Sequence, residues 1–107
     1  MPVRLEFTED EAGRAAYITM DREAKLNALD WSQLEALLES VKSLGEDDRL
    51  RVVVITGAGD RAFTAGADLN VLRQHTPETA RAFITLIHEV NSGLRQRIYQ
   101  DLIELAI

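Results

Sequence analysis

The chain has 107 residues and a mass of 12.0 kDa, which is the size of one domain. Hydrophobic residues make up 46% and charged residues 28%, a balance that can close a core and that disordered chains lack. Eighteen acidic and twelve basic side chains give a formal net charge of -6, which disfavours a nucleic acid or an anionic membrane as the partner.

The absence of some residue types and the spacing of others exclude further kinds of functional site. The sequence contains no cysteine, which excludes disulfides, thiolate metal sites and a cysteine nucleophile. His75 and His88 are too far apart for an H-x-x-x-H pair, so no metal site is expected. The N-terminus lacks an apolar run of signal-peptide length, and no stretch approaches the roughly 20 apolar residues that span a bilayer. We therefore expect a cytoplasmic protein.

Two segments near the N-terminus are predicted to form a β-hairpin. Residues 3 to 8 alternate apolar and polar side chains with the period of two that marks a half-buried strand. The turn cluster at 10–13 separates them from the β-prone segment 15–20, which can pair back. A polar loop from Asp21 to Asn27 follows the hairpin.

A helix and a buried strand come next. Asp30 is predicted to cap a helix that ends at Gly45, and the apolar positions at three- and four-residue spacing are Trp31, Leu34, Leu37, Leu38, Val41 and Leu44. Residues 52–56 form a continuous β-branched run bounded by Gly57, which predicts a strand buried on both faces. The order strand, helix, buried strand predicts a parallel sheet and the fold class α/β.

The C-terminal third is predicted to be one long helix. Thr76 as cap and Pro77 at the first helical position mark its start. Its apolar stripe continues to the chain end through Phe83, Ile87, Val90, Leu94, Ile98, Leu102 and Leu105. No strand is expected in the tail. Because this apolar face exceeds what one small sheet needs, part of it is expected to meet another chain, which predicts a homo-oligomer.

A glycine-rich segment follows the buried strand. Gly57 and Gly59 begin a G-x-G pattern, but Ala62 stands at the third glycine position and no helix begins there, which excludes a dinucleotide fingerprint. Gly66, with an alanine on each side, lets a ligand approach the main-chain N–H groups closely. Such a donor can stabilise an oxyanion that develops on a carbonyl, at about 3 to 4 kcal/mol per group.

Three motifs in this sequence resemble those of one enzyme family. Residues 62–69 read A-F-T-A-G-A-D-L and resemble the A-F-x-A-G-A-D-[IL] segment of the enoyl-CoA hydratase/isomerase (crotonase) superfamily. Residues 18–29 resemble its N-R-P-x-x-x-N-A-L loop, with Glu23 where the family usually has proline. Residues 52–57 resemble its V-V-[VIL]-T-G strand, and the order and spacing of the three motifs agree as well.

The resemblance covers residues 3–96 and carries expectations about fold and function. It implies that residues 1–107 form a single domain like the N-terminal portion of a crotonase-like ββα spiral, with a long C-terminal helix and a divergent helical tail at 97–107. It implies action on, or binding of, acyl-CoA thioesters, with oxyanion-hole stabilisation of a thioester enolate. No cofactor is implied beyond coenzyme A as part of the substrate. The reaction branch, whether hydratase, isomerase, hydrolase or lyase, is left open.

The same resemblance implies roles for the residues of the A-G-A-D segment. The backbone N–H of Ala67 would be the first of two oxyanion-hole donors that polarise the thioester carbonyl. Ala65, Asp68 and Leu69 would line the adenine and pantetheine pocket.

The loop before the first helix would bind the coenzyme. By the resemblance, the backbone of Ala24, Lys25 and Leu26 would meet the CoA moiety. Lys25, with Arg22 nearby, could answer CoA phosphates. The alternative for these two cations is a solvated loop.

The family's remaining machinery is a G-G-G-x-E-L-A segment that provides the second N–H and one glutamate, and a later second glutamate. Glu104-Leu105-Ala106 echoes E-L-A, but the residues before it are not glycines, so Glu104 is interpreted as a surface helix glutamate. The chain is therefore expected to be truncated relative to the family and inactive alone. The alternative is a non-catalytic assembly or binding module built on a crotonase-like fragment.

Overall fold

The computed structural model describes residues 3–101 and 104–106, and side chains as far as Gln96. The strands and helices are, in chain order, β1 (Val3–Asp10), β2 (Gly13–Met20), α1 (Trp31–Ser43), β3 (Leu50–Gly57), α2 (Leu69–Arg73), α3 (Pro77–Asp101) and β4 (Glu104–Ala106). A single 3-10 turn, Glu23–Lys25, lies between β2 and α1.

The strands form one sheet in the order β1-β2-β3-β4. β1 and β2 are the predicted antiparallel hairpin, and the Asp10 carboxylate accepts the N–H groups of Ala12 at 2.8 Å and Gly13 at 3.2 Å in its turn. β3 runs parallel to β2, with α1 as the crossover between them. This arrangement confirms the predicted α/β class and parallel sheet.

Both long helices begin at the predicted caps. The Asp30 carboxylate accepts the N–H of Gln33 at 2.8 Å, and the Thr76 hydroxyl accepts the N–H of Thr79 at 3.2 Å. These side chains satisfy donors that the first helical turn otherwise leaves unpaired. The two predicted helix starts are therefore confirmed.

The core lies between one face of the sheet and the helices α1 and α3. Its buried apolar members are Val3, Ala16, Ile18, Met20, Leu34, Leu37, Val41, Leu44, Leu50, Val53, Ile55, Phe83 and Val90. Phe83 and Val90 belong to the predicted stripe of α3, and Leu86, Ile87 and Leu94 pack against the same cluster. The described part of that stripe thus serves the chain's own core.

β3 is buried on one face only, which corrects the prediction of a strand buried on both. Val53 and Ile55 lie in the core, whereas Val52 and Val54 are half-buried on the opposite face, next to the exposed Tyr17. A continuous β-branched run is typical of a doubly covered strand. Here α1, the described helix that packs against β1 and β2, lies on the core face.

The tail differs from the prediction of a helix to the chain end. α3 ends at Asp101, and β4 then pairs parallel with β3, placing Glu104 opposite Val52 in the register. The interpretation of Glu104 as a helix residue is therefore wrong. Periodicity alone cannot separate a short apolar helix segment from a buried strand, and the free edge of β3 offers backbone groups for pairing. Leu102 lies outside the described residues, as do the side chains of Ile98 and Leu105.

The short helix α2 is absent from the sequence-based prediction. The Asp68 carboxylate caps it by accepting the N–H of Asn70 at 2.8 Å.

Among the described residues, no helix combines the length and apolar character needed to cross a bilayer. Within the same residues, no cluster of three or more histidine or carboxylate side chains is arranged to hold a metal ion.

Candidate functional site

Two loops meet at one end of the sheet. The first loop (residues 21–30) follows β2, and the second loop (residues 58–68) follows β3. Because the strands are parallel and Met20 pairs with Gly57, both loops leave the sheet at the same edge. This edge, at the carboxyl ends of the strands, is where α/β sheets place their ligands.

The buried side chain of Asn27 joins the two loops. Its Oδ1 accepts the N–H of Arg22 at 2.9 Å, and its Nδ2 donates to the carbonyl oxygens of Ala58 at 3.1 Å and Ala62 at 3.0 Å. Asn27 is only 1% exposed and has a φ of +56°, a left-handed conformation that asparagine tolerates better than most residues. One amide thus holds the first loop against the start of the second.

Gly57 is required where β3 passes into the second loop. A Cβ at this position would collide with the carbonyl oxygens of Phe63 and Ala62 and would lie 2.6 Å from the Nδ2 of Asn27. The glycine therefore lets the second loop fold back closely enough to reach Asn27.

Arg22 forms a second link between the loops. Its Nη2 lies 3.0 Å from Oδ2 of Asp68, its Nη1 lies 3.3 Å from Oδ2 of Asp30, and Nη1 also donates to the carbonyl oxygen of Ala28 at 3.0 Å. The guanidinium is therefore held by two carboxylates. Arg22 is therefore not a solvated loop side chain, and its contact with a CoA phosphate stays a prediction.

Asp68 is a buried carboxylate with structural partners. The N–H of Asn70 and the guanidinium of Arg22 hold the pKa of Asp68 below its usual range, against the opposing effect of desolvation. The sequence analysis expected Asp68 to line a coenzyme pocket. Its carboxylate caps α2 and contacts Arg22, and the lining role stays a prediction.

A short parallel bridge aligns the two loops residue by residue. The N–H of Leu29 donates to the carbonyl oxygen of Gly66 at 2.7 Å, and the N–H of Asp68 donates to the carbonyl oxygen of Leu29 at 2.8 Å. The N–H of Ala65 donates to the carbonyl oxygen of Leu26 at 2.9 Å. The A-G-A-D segment is thus fixed along its length.

The N–H groups of this segment are occupied with one exception. Those of Ala65 and Asp68 are taken up by the first loop, and that of Gly66 donates to the Thr64 hydroxyl at 3.1 Å. The N–H of Ala67 donates no hydrogen bond within the residues that the structure describes. Of the four consecutive amides at 65–68, this is the one without a partner among the described residues.

The direction of the free N–H follows from peptide geometry. The carbonyl of Gly66 and the N–H of Ala67 belong to one planar trans peptide and point in opposite directions. Since the carbonyl faces Leu29, the N–H faces away from the first loop. Gly66 has a φ of +88°, and a Cβ added to it would meet nothing within 4 Å, so the segment borders open space.

The remaining predicted site residues lie on the surface around this segment. Ala24 and Lys25 are exposed on the 3-10 turn, and Lys25 forms no ion pair with the described residues. Leu26 is half-buried with a φ of +53°. Ala65 is exposed, and Leu69 is 65% exposed at the start of α2.

Asn27 and Thr64 are the two residues of the site that the sequence analysis did not single out. The Thr64 hydroxyl donates to the carbonyl oxygen of Asn27 at 2.6 Å while accepting the N–H of Gly66. Asn27 stood in the N-A-L motif, which was a usable signal. For Thr64 no sequence signal was available, because the carbonyl oxygen to which it donates lies 37 residues away in the chain.

Comparisons with known proteins agree on one family. The sequence profile of the family described as enoyl-CoA hydratase/isomerase matches residues 15–98. The short-chain-enoyl-CoA hydratase of Clostridium acetobutylicum is 30% identical over 81 residues, which are 76% of this chain and 31% of that protein. The crotonyl-CoA hydratase of Syntrophomonas wolfei is 30% identical over 77 residues, which are 72% of this chain and 30% of that protein.

Solved structures show the same similarity in three dimensions. An enoyl-CoA hydratase from Bacillus anthracis superposes with a TM-score of 0.80 at 26% identity, covering 98% of this chain and 38% of that one. The enoyl-CoA hydratase from Thermoplasma volcanium gives a TM-score of 0.71 at 33% identity, covering 94% and 38%. The chain therefore spans about a third of the length of the relatives that it matches.

Proposed function

Because the chain belongs to the enoyl-CoA hydratase/isomerase family, we propose that it binds acyl-CoA thioesters and that the N–H of Ala67 donates to the thioester carbonyl oxygen. The observation that supports this most strongly is the single free amide among four consecutive ones. An amide held by its neighbours before the ligand arrives needs no reorganisation when charge develops on the carbonyl.

The chemistry of this donor is electrostatic stabilisation. When a thioester is converted to its enolate, negative charge builds on the carbonyl oxygen, and one well-placed donor is worth about 3 to 4 kcal/mol in such a transition state. The G-G-G segment that the resemblance links to the second donor does not occur in this sequence. We propose that residues 1–107 bind thioesters and do not turn them over by themselves.

The coenzyme is proposed to lie across the exposed parts of both loops. The backbone of Ala24, Lys25 and Leu26 would meet the CoA moiety, and the ammonium of Lys25, which forms no ion pair with the described residues, would meet a CoA phosphate. Ala65, Asp68 and Leu69 would line the adenine and pantetheine pocket. The Asp68 carboxylate also forms the ion pair with Arg22 and caps α2.

Calorimetric titration tests the proposal with three ligands: butyryl-CoA, S-butyl-CoA and free CoA. S-butyl-CoA has the same chain but lacks the carbonyl, so the ratio of the two dissociation constants isolates the carbonyl contact. We expect butyryl-CoA to bind about two- to thirteenfold more tightly, since a neutral hydrogen bond contributes about 0.5 to 1.5 kcal/mol. Equal affinity for the two ligands would contradict the proposal.

Variants of Ala67 locate the donor. Ala67→Pro removes the N–H and is expected to abolish the preference for butyryl-CoA, provided that its circular dichroism matches the parent. Ala67→Gly keeps the N–H and is expected to keep the preference. Should Ala67→Pro unfold, replacing Ala67 by lactic acid through semisynthesis removes the same N–H with the methyl group retained. A preference that survives this ester would contradict the assignment.

A second candidate is an assembly or binding module that forms a homo-oligomer. The outer face of the sheet favours it, because Val52 and Val54 are half-buried there and Tyr17 is exposed. Val54→Lys is expected to convert the oligomer to a monomer in sedimentation velocity. A parent chain that sediments as a monomer would contradict this candidate.

The absence of cysteine supports a cytoplasmic location for either function.

A further inference from the structure

The Thr64 hydroxyl has both of its hydrogen-bonding roles committed. It donates its one proton to the carbonyl oxygen of Asn27 at 2.6 Å and accepts the N–H of Gly66 at 3.1 Å. Its two partners belong to different loops. The hydroxyl therefore connects the buried residue that organises the first loop to the glycine that precedes the free amide.

Gly66 needs such a restraint. A glycine has no Cβ to limit its backbone, and at Gly66 neighbouring atoms do not supply the limit either, because a Cβ there would meet open space. Its φ of +88° is held instead by hydrogen bonds on both sides, from its own N–H to Thr64 and from the N–H of Leu29 to its carbonyl. The bond from Leu29 orients the peptide plane that contains the N–H of Ala67, and the bond to Thr64 orients the peptide plane before it.

The Thr64 contact also decides which amide is available. Without the hydroxyl, the N–H of Gly66 would become a second free donor next to that of Ala67. A ligand oxygen could then be shared between two amides in a looser segment. With the hydroxyl in place, one donor is offered in one direction.

We propose that Thr64 is a positioning residue that aims the N–H of Ala67 at the thioester carbonyl. This inference rests on the proposed function of Ala67 as the donor. Thr64 itself need not contact the ligand, because it acts through Gly66.

The test compares Thr64→Val with Thr64→Ser. Valine keeps the branched shape and removes the hydroxyl, whereas serine keeps the hydroxyl. We expect the parent and Thr64→Ser to prefer butyryl-CoA over S-butyl-CoA equally, and Thr64→Val to bind both ligands within about twofold. Isotope-edited infrared spectra of butyryl-CoA with a ¹³C-labelled carbonyl add a direct signature: the downward shift of the stretch on binding is expected to shrink in Thr64→Val alone.

A ligand-free measurement accompanies the titration. Amide hydrogen exchange by NMR is expected to be slow at Gly66 in the parent and in Thr64→Ser, and fast in Thr64→Val. Thr64→Ala repeats the comparison without the bulk of the valine side chain should Thr64→Val lose its dispersed spectrum.

The outcomes distinguish a failure of the positioning role of Thr64 from a failure of the donor role of Ala67. A parent chain that prefers butyryl-CoA, with Thr64→Val and Thr64→Ala matching Thr64→Ser, overturns the positioning role alone. A parent chain with no preference for butyryl-CoA overturns the role of Ala67 and the inference that rests on it.

Discussion

The Arg22 guanidinium and the Asp68 carboxylate form an ion pair, with 3.0 Å between Nη2 and Oδ2, that joins the loop after β2 to the loop after β3. The Asp68 side chain is 9% exposed and the Arg22 side chain 25%, so solvent screens the pair only in part. Asp30 holds the same guanidinium from the first turn of α1. Through Arg22, the segment that carries Ala67 is therefore linked to the loop after β2 and to the start of α1.

Asp68→Asn is expected to reduce the acid sensitivity of the fold. Asparagine caps a helix about as well as aspartate, so the change mainly removes the charge that Arg22 holds. A carboxyl group whose pKa is lower in the folded state contributes stability above its unfolded value of about 3.9, and this contribution is lost as the pH falls through the folded pKa. Denaturant unfolding between pH 6 and 2 is expected to show a shallower loss of unfolding free energy in the variant. Asp60→Asn on the surface is the control, and an identical pH profile for parent and Asp68→Asn would contradict the prediction.

Asn27→Asp is expected to destabilise the chain by about 2 to 3 kcal/mol. The substitution keeps the oxygen that accepts the N–H of Arg22 but replaces the donor that serves Ala58 and Ala62 with an acceptor. A buried carboxylate oxygen would then face two carbonyl oxygens. Urea denaturation measures the loss, with the exposed Asn70→Asp as the matched control. A change of less than about 0.5 kcal/mol in Asn27→Asp would show that its amide does not join the loops.

Gln33→Met is expected to stabilise the chain by about 1 kcal/mol. Gln33 is fully buried on α1, and neither Oε1 nor Nε2 has a hydrogen-bond partner among the described residues. Methionine fills a similar volume without polar atoms that need partners. Thermal unfolding of the variant should shift upward, whereas Gln33→Glu, which buries a charge in the same shape, should lower it. A destabilised Gln33→Met would indicate that the amide has a partner.

Gly93→Ala tests the contact between α1 and α3. Alanine is favoured over glycine in a helix by about 1 kcal/mol. A Cβ at Gly93 would nevertheless lie 2.6 Å from Cγ1 of Val41, so we expect no gain in the parent. In a Val41→Ala background the same change is expected to recover most of that 1 kcal/mol. Additive effects in this double-mutant cycle would contradict the close packing.

Local signals predicted the framework well, because the physics that sets it is local. Asp30 and Thr76 were identified as caps from their own side chains, and the hairpin from its alternation, and the structure confirms these starts and pairings. The covering of β3 and the strand at Glu104–Ala106 were not predicted correctly. Both features depend on which segment packs against the face or the edge of β3, and the periodicity of a sequence carries no information about that.

The sequence motifs of the site were recognised, but the hydrogen bonds and ion pairs between its two loops were not predicted. Gly66 and its alanines indicated an exposed amide, yet only the structure shows which amide of the segment, that of Ala67, has no partner among the described residues. Asn27 and Thr64 act across a long sequence separation. Arg22 looked like a loop cation because its partner Asp68 is distant in the chain.

The central claim, that the N–H of Ala67 is the donor to the thioester carbonyl, is tested most directly by ¹H–¹⁵N NMR titration of the labelled chain. Butyryl-CoA is expected to shift the Ala67 amide proton downfield, because a new hydrogen bond forms there, while S-butyl-CoA leaves it in place. The amides of Ala65 and Asp68, which are already bonded, should move less. Equal shifts of Ala67 with both ligands, or no shift at saturating butyryl-CoA, would contradict the account.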